Sequence, residues 1–451
     1  MSEQRFVVIG SGPAGNTAAT IAAVEGVRVT LIESDVVGGA AHLYDCIPSK
    51  ALVASSMRLA NVRASGHLGL ADLGDLRVDM DRLAERRESI TTRMIAALTG
   101  LLESQGVEIV HGRGRLTGPA SAAAETADGV LDVQFDAALL AAGSMPRVPN
   151  WAEVDGERVL TTRHAYRLSA CPEHLVVIGS GASGVELAHI FSSLGCRVTL
   201  LVSRQQVLPH HDPEVAAVVE EDFLARGVVL LKGARADAAC PEGDGAVVHT
   251  EDGRVVRGSH VLLAVGLTPN TADLGLEAAG VTTAGGFVVV DEYQRTSVPA
   301  IYAAGDITGQ LLLSSVAAAQ GRVVGRQVAG LEVEPVDLRR SAQAIFTEPE
   351  IACVGLGEAD AAAQRRKVRI TKVPFVANPR SLIQANPRGF VKLVSDPATN
   401  VVLGGTIVGH HASELIGILA LAVRGGLRID VLESTLMVHP SLAESVTEAA
   451  G

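Results

Sequence analysis

Gly10, Gly12 and Gly15 are spaced G-x-G-x-x-G, and so are Gly179, Gly181 and Gly184. Such a spacing binds phosphate. The first glycine permits a tight turn, the second lets backbone approach a pyrophosphate, and the third allows close helix packing; the helix beyond offers N–H groups and a positive dipole. Glu33, at the end of the strand after the first set, is placed to accept hydrogen bonds from an adenosine ribose. The position equivalent to Glu33 in the second set is Val202, followed by Ser203 and Arg204. Without that carboxylate a 2′-phosphate meets no repulsion, and Ser203 and Arg204 could hydrogen-bond one. NADPH is therefore expected to be accepted at the second site, with NADH also usable.

These glycines sit inside a repeat. Val7-Val8-Ile9-Gly10-Ser11-Gly12 recurs as Val176-Val177-Ile178-Gly179-Ser180-Gly181, and Val29-Thr30-Leu31 recurs as Val198-Thr199-Leu200, always 169 positions later. Each copy reads as a buried strand, the glycine turn, an Ala-rich helix and a second strand, which is one βαβ unit. Segments containing Gly143 and Pro146, and Gly266 and Pro269, read as strands leaving each unit into crossovers. Ile301 to Asp306 reads as a strand returning to the first unit and ending in Gly-Asp, where a carboxylate could meet a polyol hydroxyl. From about Leu338 no dinucleotide pattern recurs, and strand-like runs at Phe390 to Val394 and Val401 to Val408 alternate with helical ones. The expected fold is α/β: two Rossmann-like domains and a C-terminal α+β domain, divided as 1–147, 148–269, 270–337 (returning to the first domain) and 338–451.

Composition narrows the function classes. The chain has 451 residues, room for about three domains at roughly 150 residues each. Lys plus Arg number 38 against 50 Asp plus Glu, a net charge of −12, with no polybasic block, so nucleic acid is not an expected partner. The five cysteines, Cys46, Cys171, Cys196, Cys240 and Cys353, are scattered and lack metal-ligand spacing, which indicates neither a disulfide framework nor a zinc site. The adjacent pairs His210-His211 and His410-His411 have no third ligand in register, so no metal is expected. No leader pattern precedes Arg5, and the apolar stretch Leu415 to Val423 is too short to span a bilayer. A soluble, cytoplasmic protein without membrane insertion is expected.

After the first repeat comes Gly38-Gly39-Ala40-Ala41-His42-Leu43-Tyr44-Asp45-Cys46-Ile47-Pro48-Ser49-Lys50. This stretch resembles the G-G-T-C-x4-C-x-P-S-K signature of the flavoprotein disulfide reductases, the family of lipoamide dehydrogenase, glutathione reductase and mercuric reductase. The resemblance extends to Gly305-Asp306, to Phe346-Thr347-Glu348-Pro349-Glu350 and to His439-Pro440-Ser441-Leu442-Ala443-Glu444. It implies FAD on the first repeat, a nicotinamide nucleotide on the second, and a homodimer built by the C-terminal domain. It also implies that Lys50 lies at the flavin and pairs with Glu186. Ala14, Gly114, Gly143, Asp306 and Gly266 complete the cofactor-binding set it implies. His439 would act as an acid–base residue oriented by Glu444 and reach the neighbouring subunit's flavin site. His42 has no counterpart in the signature and is assigned only a space-filling part.

One departure decides the expected chemistry. The family's disulfide needs cysteines five positions apart, and here Ala41 stands where the first would be, leaving Cys46. Thiol–disulfide exchange needs an attacking thiolate and a resolving thiol. A bacterial branch described as NAD(P)H:quinone reductase has the same pattern, which implies an NAD(P)H-dependent oxidoreductase whose FAD passes electrons directly to a small acceptor such as a quinone. The alternatives are a single-cysteine disulfide or peroxide reductase working through Cys46, a transhydrogenase, and a non-catalytic subunit.

Overall fold

The computed structural model describes residues 4–63, 65–71, 74 and 76–451. The chain divides into two compact units. The first is Met1–Ser49, Ala84–Arg147 and Gly266–Leu338, and the second is Lys50–Leu83, Val148–Val265 and Arg339–Gly451.

Each unit contains one copy of the repeat as a five-stranded parallel sheet. In the first, the strand order is Ile301–Ala303, Ala137–Leu140, Arg5–Ile9, Arg28–Glu33, Glu108–His111. In the second it is Val159–Thr161, His260–Leu263, His174–Ile178, Arg197–Val202, Val229–Lys232. The register repeats as well: Ile9 faces Ile32, and Ile178 faces Leu201. Both members of the second pair lie 169 positions after the first, so the offset read from sequence is a structural one. Strands such as Val176–Ile178 and Val7–Ile9 are unbroken apolar runs because helices or other strands cover both faces of a parallel sheet.

Two helices of the first unit, Pro13–Val24 and Ser314–Val328, cross at small residues. A Cβ on Gly321 would stand 2.1 Å from the Ala14 carbonyl oxygen, so the crossing excludes any larger residue there. The core above the sheet is built from Ala18, Ala19, Ala22, Val324 and Val328, which explains an Ala-rich helix with few large side chains.

In the second unit, residues 343–409 form an antiparallel sheet ordered Gln343–Ile345, Glu350–Gly355, Val402–Gly409, Phe390–Ser395, Arg369–Pro374, covered by the helix Ala412–Gly425. The two strand-like runs expected at 390–394 and 401–408 are its two central neighbours. Lys392, 2% exposed, sends its ammonium to Asp212, Glu214 and Glu358. Three carboxylates offset the cost of burying that charge, and they tie the start of helix Pro213–Ala225 to this sheet. Among the described residues no helix is long and apolar enough to cross a membrane.

Candidate functional site

The glycine loops are built alike. A Cβ on Gly15 would lie 1.9 Å from the Gly10 carbonyl oxygen, and one on Gly184 would lie 1.9 Å from that of Gly179. At Gly12 and Gly181 a Cβ would meet nothing within 4 Å, so the backbone there faces open space. The helices that follow, Pro13–Val24 and Ala182–Leu194, have Gly12 and Gly181 as N-caps and no side-chain cap. Their first N–H groups, including that of Ala14, are left for an anion. An uncapped helix start beside open backbone fits a pyrophosphate in both units.

Glu33 is buried and already engaged. Its Oε2 accepts from the Ser11 N–H at 2.7 Å and the Ser11 hydroxyl at 2.6 Å, and its Oε1 accepts from the Asp35 N–H at 2.8 Å. A carboxylate has about four acceptor sites, so one is left for a ribose hydroxyl. Glu33 therefore shapes the glycine loop. Sequence reasoning missed this because Ser11 occupies a variable position of the motif, and nothing local says where its hydroxyl turns.

Asp306 accepts from the Ser144 hydroxyl at 2.7 Å, next to Gly143, whose α-carbon has open space. The Gly305 N–H donates to Gln320 at 2.7 Å, fixing the turn that presents Asp306. Gly266 accepts from the Arg147 N–H at 2.9 Å and also has an open α-carbon. Gly114 is different: a Cβ there would stand 2.9 Å from Ile9 Cγ2 and 3.1 Å from Ile32 Cγ2, so the absence of a side chain lets its strand pack on the sheet.

Cys46 begins the helix Cys46–Arg63, and its Sγ lies 3.2 Å from the Ser314 hydroxyl. Ala41 is on the short helix Gly39–Leu43 just before it. Ser314 is a further site residue with no sequence signal, since 268 positions separate it from Cys46. His42 fills space over Gly38, where a Cβ would be 2.0 Å from its Nδ1, and burial pushes its pKa down.

In the second unit, Lys50 Nζ lies 2.8 Å from Glu186 Oε2, and Glu186 Oε1 accepts from the Phe346 N–H at 3.0 Å. The Phe346 ring centroid is 4.7 Å from the same ammonium. The buried Glu186 is thus satisfied on both oxygens, and Lys50 is held by charge and by an aromatic face. Phe346 is read from sequence only as part of a family motif; its backbone and ring together fix this pair. Val202 is buried at its strand end, and Ser203 and Arg204 are exposed just beyond it. His439 Nδ1 is 2.8 Å from Glu444 Oε1, and the imidazole is 71% exposed. The Ser441 N–H and His439 hold the Glu444 carboxyl below its ordinary pKa. With Nδ1 occupied, Nε2 is the nitrogen His439 offers outward.

Residues 4–321 match the family described as pyridine nucleotide-disulphide oxidoreductase, and residues 341–450 match that family's dimerisation domain. The chain belongs to this family. Its members use FAD and NAD(P)H, and the chain is an FAD-dependent oxidoreductase of that kind. It is 41% identical to the NAD(P)H dehydrogenase (quinone) of Mycobacterium tuberculosis, covering 99% of this chain and 93% of that protein. The dihydrolipoyl dehydrogenase of Chlorobaculum tepidum is 34% identical over 98% of this chain and 95% of its own length. Among solved structures, LpdA of Mycobacterium tuberculosis superposes with a TM-score of 0.94 at 41% identity, with 99% of both chains covered. The HOCl-induced flavoprotein disulfide reductase RclA of Escherichia coli follows at 0.89 and 25% identity, again over 99% of both chains. The family, the α/β fold and the flavin and nucleotide cofactors expected from sequence therefore hold.

Proposed function

We propose that this oxidoreductase passes electrons from NAD(P)H to a quinone-class acceptor without a protein disulfide. The observation that carries the reading is the surroundings of Cys46: its sulfur faces the Ser314 hydroxyl, and Ala41 stands where the family's partner thiol would be. Bound FAD would supply the redox chemistry, hydride acceptance from the nicotinamide and electron transfer to the acceptor. The chain's own residues bind and orient. Gly10, Gly12, Ala14, Gly15, Glu33, Gly143 and Asp306 would hold FAD, with Gly114 setting the sheet behind it. Gly179, Gly181, Gly184, Ser203 and Arg204 would hold the nicotinamide nucleotide, with Gly266 at the edge of that site. Lys50, kept in place by Glu186 and Phe346, would supply positive charge toward the flavin ring. The boundaries 1–147, 148–269, 270–337 and 338–451 are our proposed domain limits, and five free thiols suit a reducing cytoplasm. An acceptor panel of quinones, dyes and disulfides, run with NADH and NADPH, tests the reading; turnover confined to disulfides would end it.

Nucleotide choice follows from the second strand end. Arg204 is exposed beside Ser203, and the buried Val202 cannot repel a 2′-phosphate. The Arg204→Ala enzyme should lose about tenfold in kcat/KM for NADPH and little for NADH, the loss of one charge-assisted contact. Equal losses with both nucleotides would remove Arg204 from the phosphate site.

The dimerisation-domain match and the exposed apolar residues around the C-terminal histidine point the same way. Leu436 is 98% exposed and Val438 77%, immediately before His439, an arrangement that a partner surface would cover. A homodimer in which His439 and Glu444 serve the neighbouring subunit is the proposed assembly. One chain is 46.6 kDa, so light scattering should return about twice that mass. A stable monomer at micromolar concentration would defeat this arrangement.

A further inference from the structure

The nucleotide end of the second unit carries a cation that no motif announces. Lys232 ends the strand Val229–Lys232, and the parallel register sets it beside Val202 on the neighbouring strand. Val202 holds the place that the acid Glu33 holds in the first unit, where the register partner is His111. Val202 and Lys232 face the same helix, Pro213–Ala225. Val202 shares a core cluster with Val215, Val219 and Phe223, and Lys232 Nζ lies 2.6 Å from Glu220 Oε2. The backbone just after Lys232 bonds to the end of the other strand: the Gly233 N–H donates to the Arg204 carbonyl at 3.1 Å, and the Ala234 N–H to that of Val202 at 3.2 Å. Lys232 therefore belongs to one strand-end cluster with Ser203 and Arg204. That cluster is also tied to the glycine loop. Glu220 Oε1 accepts from the Val207 N–H at 3.0 Å, and the next residue, Leu208, donates its N–H to the Ser180 carbonyl at 2.8 Å, inside the G-x-G-x-x-G turn.

We propose that Lys232 is a specificity-determining residue whose ammonium reads the 2′-phosphate of NADPH together with Ser203 and Arg204, which rests on the proposed seating of the nucleotide at Gly179, Gly181 and Gly184. A dinucleotide lies across the carboxyl ends of such a sheet, with its adenosine ribose at the end of the second strand. A 2′-phosphate extends outward from that ribose. The next strand is about 4.8 Å away, so the residue at its end comes within reach of a phosphate where a hydroxyl falls short. An ammonium has three donors, and Glu220 takes one, leaving two for phosphate oxygens. The other Glu220 oxygen is occupied by Val207, so this carboxylate holds both the ammonium and the loop in place. Arg254 also comes to this strand end, 3.4 Å from the Lys232 carbonyl, but Asp252 occupies its guanidinium and it is assigned no part. Where the first unit ends its second strand in a carboxylate, the second unit thus presents an apolar residue flanked by two cations, Arg204 and Lys232.

Titration calorimetry of the FAD-loaded protein with 2′,5′-ADP and with 5′-AMP tests this, because the two probes differ only in the 2′-phosphate and carry no nicotinamide. The unsubstituted protein should bind 2′,5′-ADP more tightly by about tenfold or more. Lys232→Met keeps the apolar stem and removes the charge. It should weaken 2′,5′-ADP about tenfold and leave 5′-AMP within about twofold, with flavin absorbance and circular dichroism showing that the variant is folded. Lys232→Arg restores a cation and should recover most of the loss. In turnover the Met variant should show a raised KM for NADPH at unchanged kcat and no change with NADH, the pattern of lost uniform binding. If Lys232→Met leaves 2′,5′-ADP affinity unchanged while Arg204→Ala lowers it, the phosphate site stands and Lys232 has no part in it. If both probes weaken alike, Lys232 supports the loop and does not read the phosphate. If the unsubstituted protein binds the two probes equally, the 2′-phosphate reading of this strand end falls, and the role of Lys232 with it.

Discussion

Quinone or dye reduction by the Cys46→Ser enzyme should stay within about tenfold of the unsubstituted protein, while dihydrolipoamide oxidation by either should lie at least 100-fold below quinone turnover. Dithiol oxidation in this family needs one thiolate to attack and a second sulfur to resolve the mixed disulfide. Here one of the two, the attacking thiol by the family's pattern, is missing at Ala41, and the near neighbour of Cys46 is the Ser314 hydroxyl at 3.2 Å, which cannot form a disulfide. Quinone reduction demands no covalent bond to the protein, so removing the sulfur alters only packing and polarity beside Ser314. Steady-state rates under matched NAD(P)H check this. A loss of quinone turnover beyond about 100-fold in Cys46→Ser, roughly 2.7 kcal/mol of barrier, would hand the reaction to thiol catalysis. Restoring a disulfide through Ala41→Cys is a weaker probe, because bond formation depends on Cα separation and side-chain direction as well as on the presence of sulfur.

What could be read from the amino acids was whatever is encoded locally or repeated. The glycine spacing is legible because part of it answers a contact five residues away, Gly15 with Gly10 and Gly184 with Gly179. The 169-residue offset carries strand register with it, so Val202 could be matched to Glu33 before any coordinates were known. The C-terminal α+β domain was legible from its two apolar runs, although the antiparallel order was not, since nothing in a run names its neighbour. Long-range polar partners were hidden for the same reason. Ser144 meets Asp306 across 162 positions, and Phe346 donates to Glu186 across 160. Hydroxyls and backbone N–H groups have no sequence signature of their own.

Glu33→Ala is expected to cost the protein most of its FAD, with affinity falling between about tenfold and 150-fold. A charge-assisted hydrogen bond to a ribose hydroxyl is worth about 1.5 to 3 kcal/mol, which is that range in Kd. The structure adds a second cost. Glu33 accepts from the Ser11 N–H, the Ser11 hydroxyl and the Asp35 N–H, and it is buried. Truncation leaves the buried Ser11 donors without their acceptor, at a price of about 1 to 3 kcal/mol for each group that finds no substitute. The glycine loop should then loosen even without cofactor. The two costs separate experimentally: ribose contact alone lowers FAD affinity and leaves the melting temperature of the apoprotein unchanged, whereas loop support lowers both. We expect both to fall. Glu33→Gln keeps one acceptor oxygen and should recover part of the loop stability, since that oxygen can still take the Ser11 N–H, while its amide presents a donor where a carboxylate oxygen was. Flavin fluorescence released on dilution gives the affinity and a thermal melt of the stripped protein gives the stability. Full retention of FAD by Glu33→Ala would remove this residue from the cofactor site, and an unchanged apoprotein melt would confine it to the ribose.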